Sequence, residues 1–246
     1  MPRQEREDKM DYQKQLNRLN ESQFLISMTP INGIIEIGFS SGMNNSSSVL
    51  DLCCGYGEML KIWHEAFGIR GTGVDICGEF IQQGRKRLIE CEITDVTLIE
   101  SDIFEWQSDE KYDYVCLSGE EFGGLQSTIT LLEGFTKPDG KLIIGTRFSK
   151  AENPPQELID FEGELLSLNE INAVFQSNGY FITAMASDTH NEWERYIMWS
   201  ARRQLAELRK NMKNQSQMEW CQKWYDMYFR LRRPLEGYAT FVVEKI

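Results

Sequence analysis

Val49-Leu50-Asp51-Leu52-Cys53-Cys54-Gly55-Tyr56-Gly57-Glu58-Met59-Leu60 reads as a buried strand that ends in an acid, turns through small residues and two glycines, and opens a helix. Such a junction is where nucleoside- and phosphate-binding α/β proteins hold a ligand. Glycines let the backbone come close, and the free N–H groups of the next helix face the ligand. About 20 residues on, Gly73-Val74-Asp75-Ile76 is a second apolar strand ending in an acid. A carboxylate at that tip is placed to accept hydrogen bonds from both hydroxyls of a ribose.

Working outward, strand and helix patterns alternate regularly, as in a parallel doubly wound sheet. The predicted strands are 49–53, 71–75, 96–100, 112–117, 140–146, 180–186 and 237–244. Helices are expected near 58–67, 78–90, 124–136 and 168–177. Lys137-Pro138-Asp139-Gly140 reads as a turn ahead of the fifth strand. Before the sheet, a helix is expected from about Asp11, and Thr29-Pro30 reads as the N-cap and first turn of another, reaching Met43. The 190–232 stretch is helical in character, with Met218, Cys221, Trp224, Tyr225, Tyr228 and Leu231 in an apolar stripe. The chain is thus read as one domain, 1–246, with an N-terminal helical cover (1–45) and a helical insertion (187–236) before the last strand.

With 26 basic and 38 acidic residues the net charge is −12, which disfavours a nucleic-acid substrate. The one basic candidate, Arg202, Arg203, Arg209, Lys210 and Lys213, reads better as a solvated helix face. Six cysteines contain no C-x-x-C pair and there are only two histidines, so no metal site is expected and reduced thiols are the default. No apolar run approaches the ~20 residues of a membrane span, and the charged start is unlike a signal peptide. The expected location is cytoplasmic, with no membrane or nucleic-acid partner; the oligomeric state is not legible.

Two nucleotide-binding patterns compete for the glycine loop. The dinucleotide fingerprint G-x-G-x-x-G fits poorly, because its third slot, counted from Gly55, is Leu60. An NAD-dependent oxidoreductase is therefore the weaker alternative. Asp51, Gly55 and Gly57 match acid-x-Gly-x-Gly-x-Gly, with Cys53 in the first glycine's place. That pattern resembles the first motif of class I S-adenosylmethionine-dependent methyltransferases. The resemblance covers roughly 30–246 and extends to Leu98–Ile103, Lys111–Ser118 and Pro138–Leu142. It implies a Rossmann-like α/β fold with a seven-stranded sheet whose last strand is reversed, and S-adenosyl-L-methionine as cofactor. By the same resemblance Asp51, Cys53, Gly55, Gly57, Asp75, Ile76, Asp102, Ile103 and Ser118 bind it, with Asp102 near the adenine amine and Ile103 against its ring. Asn191–Tyr196 with Trp199 is similar to a W-[DE]-x-Y segment in a group of bacterial methyltransferases of unassigned acceptor, in which the helices before the last strand lie over the active site.

The reaction implied is in-line transfer of a methyl group to a small molecule, for which the chain must align the reactants and exclude water. Glu120, or its neighbour Glu121, could orient an amine or take its proton; Glu121 equally suits a helix N-terminus. His190 could act as a base, although one histidine in a polar loop is more often a bystander. Tyr196, with Trp193 and Trp199, could wall a pocket or form an ordinary core stripe. A non-catalytic module that holds the cofactor is the second alternative.

Overall fold

The computed structural model describes residues 24–119, 122–210 and 215–245; the helix expected from about Asp11 lies outside them. Seven strands form one sheet: β1 Ser48–Leu52, β2 Arg70–Asp75, β3 Val96–Glu100, β4 Tyr112–Ser118, β5 Thr136–Ser149, β6 Tyr180–Ser187 and β7 Glu236–Lys245. Their order is β3-β2-β1-β4-β5-β7-β6. The first five are parallel, and β7 runs antiparallel between β5 and β6. This is the Rossmann-like α/β arrangement expected, reversed last strand included.

The two faces of the sheet bury separate cores, because side chains alternate along each strand. Val49, Tyr114 and Cys116 pack against α1 (Ile31–Ser40), α2 (Glu58–Phe67) and α3 (Gly78–Glu90) through Ile34, Ile37, Trp63, Ile81 and Leu88. Leu50, Leu52, Val115 and Leu117 face α4 (Leu125–Glu133) and α6 (Leu168–Ser177) through Ile129, Leu132, Ile171 and Phe175. The Trp63 indole donates to the Ile34 carbonyl at 2.8 Å and fixes α1 on α2. A third core joins Met28 and Tyr238 to the insertion, through Trp193, Ile197 and Ala201 of α7 (His190–Lys210), Trp224 of α8 (Gln215–Met227) and Tyr228 beyond it. Within the expected apolar stripe, Cys221 and Tyr228 are buried and Met218 is exposed.

Four local readings change. The N-cap of α1 is Pro30, with no side-chain cap bond; the Thr29 hydroxyl instead meets that of Thr240 at 2.7 Å, tying the segment to β7. Strand β5 begins before the expected turn. Thr136 pairs with Tyr112 and Lys141 with Tyr114, so 137–140 bulges out opposite Asp113, whose carboxylate holds the Lys137 ammonium at 2.8 Å. A helix not foreseen, α5 (Gln156–Glu162), follows the Asn153-Pro154-Pro155 loop, with Pro155 at its N-cap. Near its end the insertion turns π-helical over Tyr228–Arg232, where an α-helix was expected, before a last α-helical turn at Arg233–Leu235. Among the described residues no helix is long and apolar enough to cross a membrane.

Candidate functional site

Strands β1, β2 and β4 end on one side of the sheet, and a cleft of about 250 Å³ opens there, lined in part by Asp51, Cys53, Gly55, Asp75, Ser118 and Tyr196. Its floor is the glycine loop. Cys53, Gly55 and Gly57 all take left-handed φ values of 60°, 56° and 71°. Cys53 thus adopts the glycine-like conformation itself, at a cost of roughly 1–2 kcal/mol for a residue with a Cβ. The turn is clipped to β2 by Cys54 N–H donating to the Val74 carbonyl at 3.1 Å. A Cβ on Gly57 would stand 2.5 Å from Leu98, and one on Gly84 of α3 would overlap the Tyr56 carbonyl. Gly84, which the sequence reading passed over, lets α3 press against the loop.

Asp75 organises that loop. Its Oδ2 accepts from Gly55 N–H and its Oδ1 from Cys77 N–H, both at 2.8 Å. Each carboxylate oxygen retains a further lone pair, as two ribose hydroxyls require. Asp51, only 2 % exposed, lies in register with Cys116 of β4, and the Cys116 thiol donates to it. Burial pushes the Asp51 carboxyl up to about 7, and the nearby Asp75 charge adds to the rise. The same burial drives the Cys116 thiol well above its ordinary value. The Ser118 hydroxyl meets the Tyr238 phenol of β7 at 2.6 Å. Burial raises that phenol, and the pair has room only because β5 carries Gly145 beside it.

The remaining predicted residues divide. Asp102 turns its Oδ1 onto Phe104 N–H at 2.9 Å. Ile103 points into the core beside Leu52 and Val74, and Ile76 is 71 % exposed. None of these three lines the cleft. The exposed ring nearest them in sequence is Phe104, edge-on to Phe122 at 5.3 Å. Tyr196 does line the cleft and stacks on Trp199 at 6.0 Å, whereas Trp193 is buried in the insertion core. His190 is exposed at the start of α7 and is not among the lining residues. Glu120 and Glu121 lie outside the described residues.

Several lining residues escaped the sequence reading. The segment Phe24–Met28 roofs the cleft, and Arg195 of α7 holds it by donating to the Leu25 and Ser27 carbonyls at 2.9 and 2.6 Å. Glu58, buried in the first turn of α2, is gripped by both arms of Arg87 at 2.9 Å. Phe80 packs between Tyr56 (4.6 Å) and Trp199 (6.5 Å), with the Arg203 guanidinium 4.8 Å over its ring. A second cavity of about 490 Å³ adjoins the first, with Met28, Gly119 and Tyr196 lining both. Its other walls include Thr146, Arg147, Glu162, Ser200 and Arg232.

Residues 49–140 match a family model described as a methyltransferase domain. The fold superimposes on an S-adenosylmethionine-dependent methyltransferase from Geobacter sulfurreducens, crystallised with S-adenosyl-L-homocysteine, with a TM-score of 0.82 at 24 % identity over 90 % of this chain and 94 % of that one. A Thiobacillus denitrificans protein of the same description gives 0.82 at 24 % over 93 % and 98 %. The Escherichia coli protein YjhP, which carries no assigned activity, is 28 % identical over 162 residues, and its crystal structure gives a TM-score of 0.81. That sequence match takes in 63 % of this chain and 65 % of YjhP.

Proposed function

We propose that this chain is a methyltransferase that transfers the methyl group of S-adenosylmethionine to a small-molecule acceptor by in-line displacement. One observation carries the reading: the left-handed turn Cys53–Gly57 and the Asp75 carboxylate meet in a single cleft, and that cleft shares three lining residues with a second, polar cavity. The match of 49–140 to a methyltransferase domain supports it. In this reading Asp75 takes the ribose, and the glycine loop with Asp51 and Ser118 faces the rest of the cofactor. Asp102, Ile76 and Ile103 belong to the adenine end, where Phe104 is the better placed ring. The cofactor, when bound, supplies an activated methyl group. The chain's own part is to orient and to keep water out, with Tyr196 and Met28 at the junction where the acceptor meets the methyl group. The kinship of the insertion with the W-[DE]-x-Y group, and the division into a cover (1–45) and a helical insertion (187–236), belong to the same proposal.

Calorimetric titration with S-adenosylmethionine, S-adenosylhomocysteine and NAD tests it. The first two should bind, and Asp75→Ala should weaken both at least about tenfold, roughly 1.4 kcal/mol, with circular dichroism unchanged. Binding of NAD alone, or full affinity in Asp75→Ala, would overturn the assignment.

A further inference from the structure

The second cavity carries more specific information than its position. Arg147 at the end of β5, Glu162 of α5, Arg232 of the π-helix and Glu236 of β7 form a ring of charges beside it. Arg232 is only 7 % exposed. Its Nε lies 3.0 Å from Glu162 Oε1 and 3.2 Å from Glu236 Oε2, and its guanidinium carbon is 6.0 and 5.9 Å from the Trp193 and Trp224 rings. Arg147 engages Glu162 through Nη1, which also lies 3.7 Å from Glu236. The formal charges of the ring cancel, two against two.

Both sides of the ring leave hydrogen-bonding capacity unused, one acceptor oxygen against several N–H donors. Glu162 serves both arginines, while Glu236, sealed from solvent, meets Arg232 through Oε2 and keeps Oε1 without a partner among the described residues. On the donor side, Nη1 and Nη2 of Arg232 make no hydrogen bond among the described residues, and neither do Nε and Nη2 of Arg147. The Trp193 indole N–H beside Arg232 is also buried without a partner among the described residues. The ring therefore presents N–H donors in two planar forks. Forked guanidinium donors fit the two oxygens of a carboxylate, and the π-helix that aims Arg232 is a local distortion of a kind often found at functional sites.

Resting on the methyltransferase reading above, we infer that the acceptor is a small carboxylate-bearing molecule, held by its carboxylate at Arg232 and Arg147 with its reactive end directed past Met28, Gly119 and Tyr196. The rival occupant is a cation, because Glu164 also lines this cavity and is exposed.

Benzoate, benzyl alcohol and benzylamine have closely similar shapes and differ in charge, so they serve as probes for ligand-observed NMR titration of the whole chain. Benzoate should saturate in the millimolar range and bind at least about tenfold tighter than the other two. Arg232→Met should cost at least about tenfold in benzoate affinity, and Arg232→Lys, which keeps the charge without the fork, several-fold. The wild-type preference needs no variant, so misfolding of either substitution leaves the test intact. Benzylamine binding as well as benzoate, no benzoate saturation by about 20 mM, or undiminished affinity in a folded Arg232→Met protein would each overturn the inference. S-adenosylhomocysteine is titrated separately. Its failure to bind, with benzoate recognition and its Arg232 dependence intact, would overturn the cofactor reading and leave the carboxylate site standing.

Discussion

Asp51→Asn should make this protein more stable, and by an amount that depends on pH. Asp51 sits in β1 at 2 % exposure with the Cys116 thiol donating to it, and burial pushes its carboxyl from 3.8 up to about 7. The folded protein therefore keeps the Asp51 proton where the unfolded chain has already lost it, and stability falls as pH rises from about 4 to about 7. At 1.36 kcal/mol per pKa unit, the wild type forgoes about 4 kcal/mol at pH 8 and about 1.7 kcal/mol at pH 5. Asparagine carries no charge, nearly matches the shape, and its carbonyl can still accept from Cys116. Urea unfolding of both proteins at pH 5 and pH 8 should show the Asp51→Asn advantage growing by roughly 2.5 kcal/mol between them. Groups common to both proteins cancel in the difference. An advantage that stays level from pH 5 to pH 8 would mean that Asp51 folds already ionised, and the argument from burial would fail. The same substitution should weaken S-adenosylmethionine, since the carboxylate that costs stability is the one facing the cleft.

Gly145→Ala adds a methyl group that overlaps the Tyr238 hydroxyl and stands 2.5 Å from Ser118 Oγ, so it should destabilise by about 2 kcal/mol, read as a lowered Tm. Combining it with Tyr238→Phe should recover part of that loss; no recovery would show that the hydroxyl pair is not what the methyl group displaces. His190→Ala should leave turnover within about twofold once an acceptor is in hand, while Tyr196→Ala should lower it at least tenfold, because only Tyr196 lines the cleft. Equal losses in the two variants would reject this division.

Local signals carried most of the sheet. The strand expected at 96–100 and the helices expected at 58–67, 78–90 and 168–177 have those bounds in the structure, because each is an apolar period flanked by its own turn chemistry. Ser167 and Glu170, for example, close a reciprocal capping box at the start of α6. The misses are cases where a distant partner overrode the local rule. Thr29 has the chemistry of an N-cap, yet its hydroxyl goes to Thr240, 211 residues away. Ile103 has the apolar side chain that an adenine ring needs, but the position faces inward, and nothing in Asp102-Ile103-Phe104 says which of the two apolar neighbours turns out. The site divides the same way. Asp51, Cys53, Gly55 and Asp75 fall within one β1–α2–β2 unit, and they and Ser118 were legible, whereas the pairing of Glu58 with Arg87 and of Ser118 with Tyr238 spans 29 and 120 residues.

A reach of 170 residues explains why the first described segment and the insertion belong to one site. The Phe24–Met28 segment would leave the carbonyls of Leu25 and Ser27 without partners over the cleft if α7 did not supply Arg195, itself oriented by Glu192 at 2.7 Å. Met28 then packs with Trp193 and Ile197, and Ile26 covers Gly55 so closely that a Cβ there would stand 2.9 Å from it. Glu192, Trp193, Arg195 and Tyr196 thus have distinct tasks within one turn of helix: orienting, packing, clamping and lining. A helix that only filled a core would need the Trp193 and Ile197 positions alone. That Arg195 spends two of its donors on backbone carbonyls of the roof, and that Tyr196 borders both cavities, ties the roof of the first cleft to the walls of the second cavity. In such an arrangement, loosening the Arg195 clamp would disturb both sites at once.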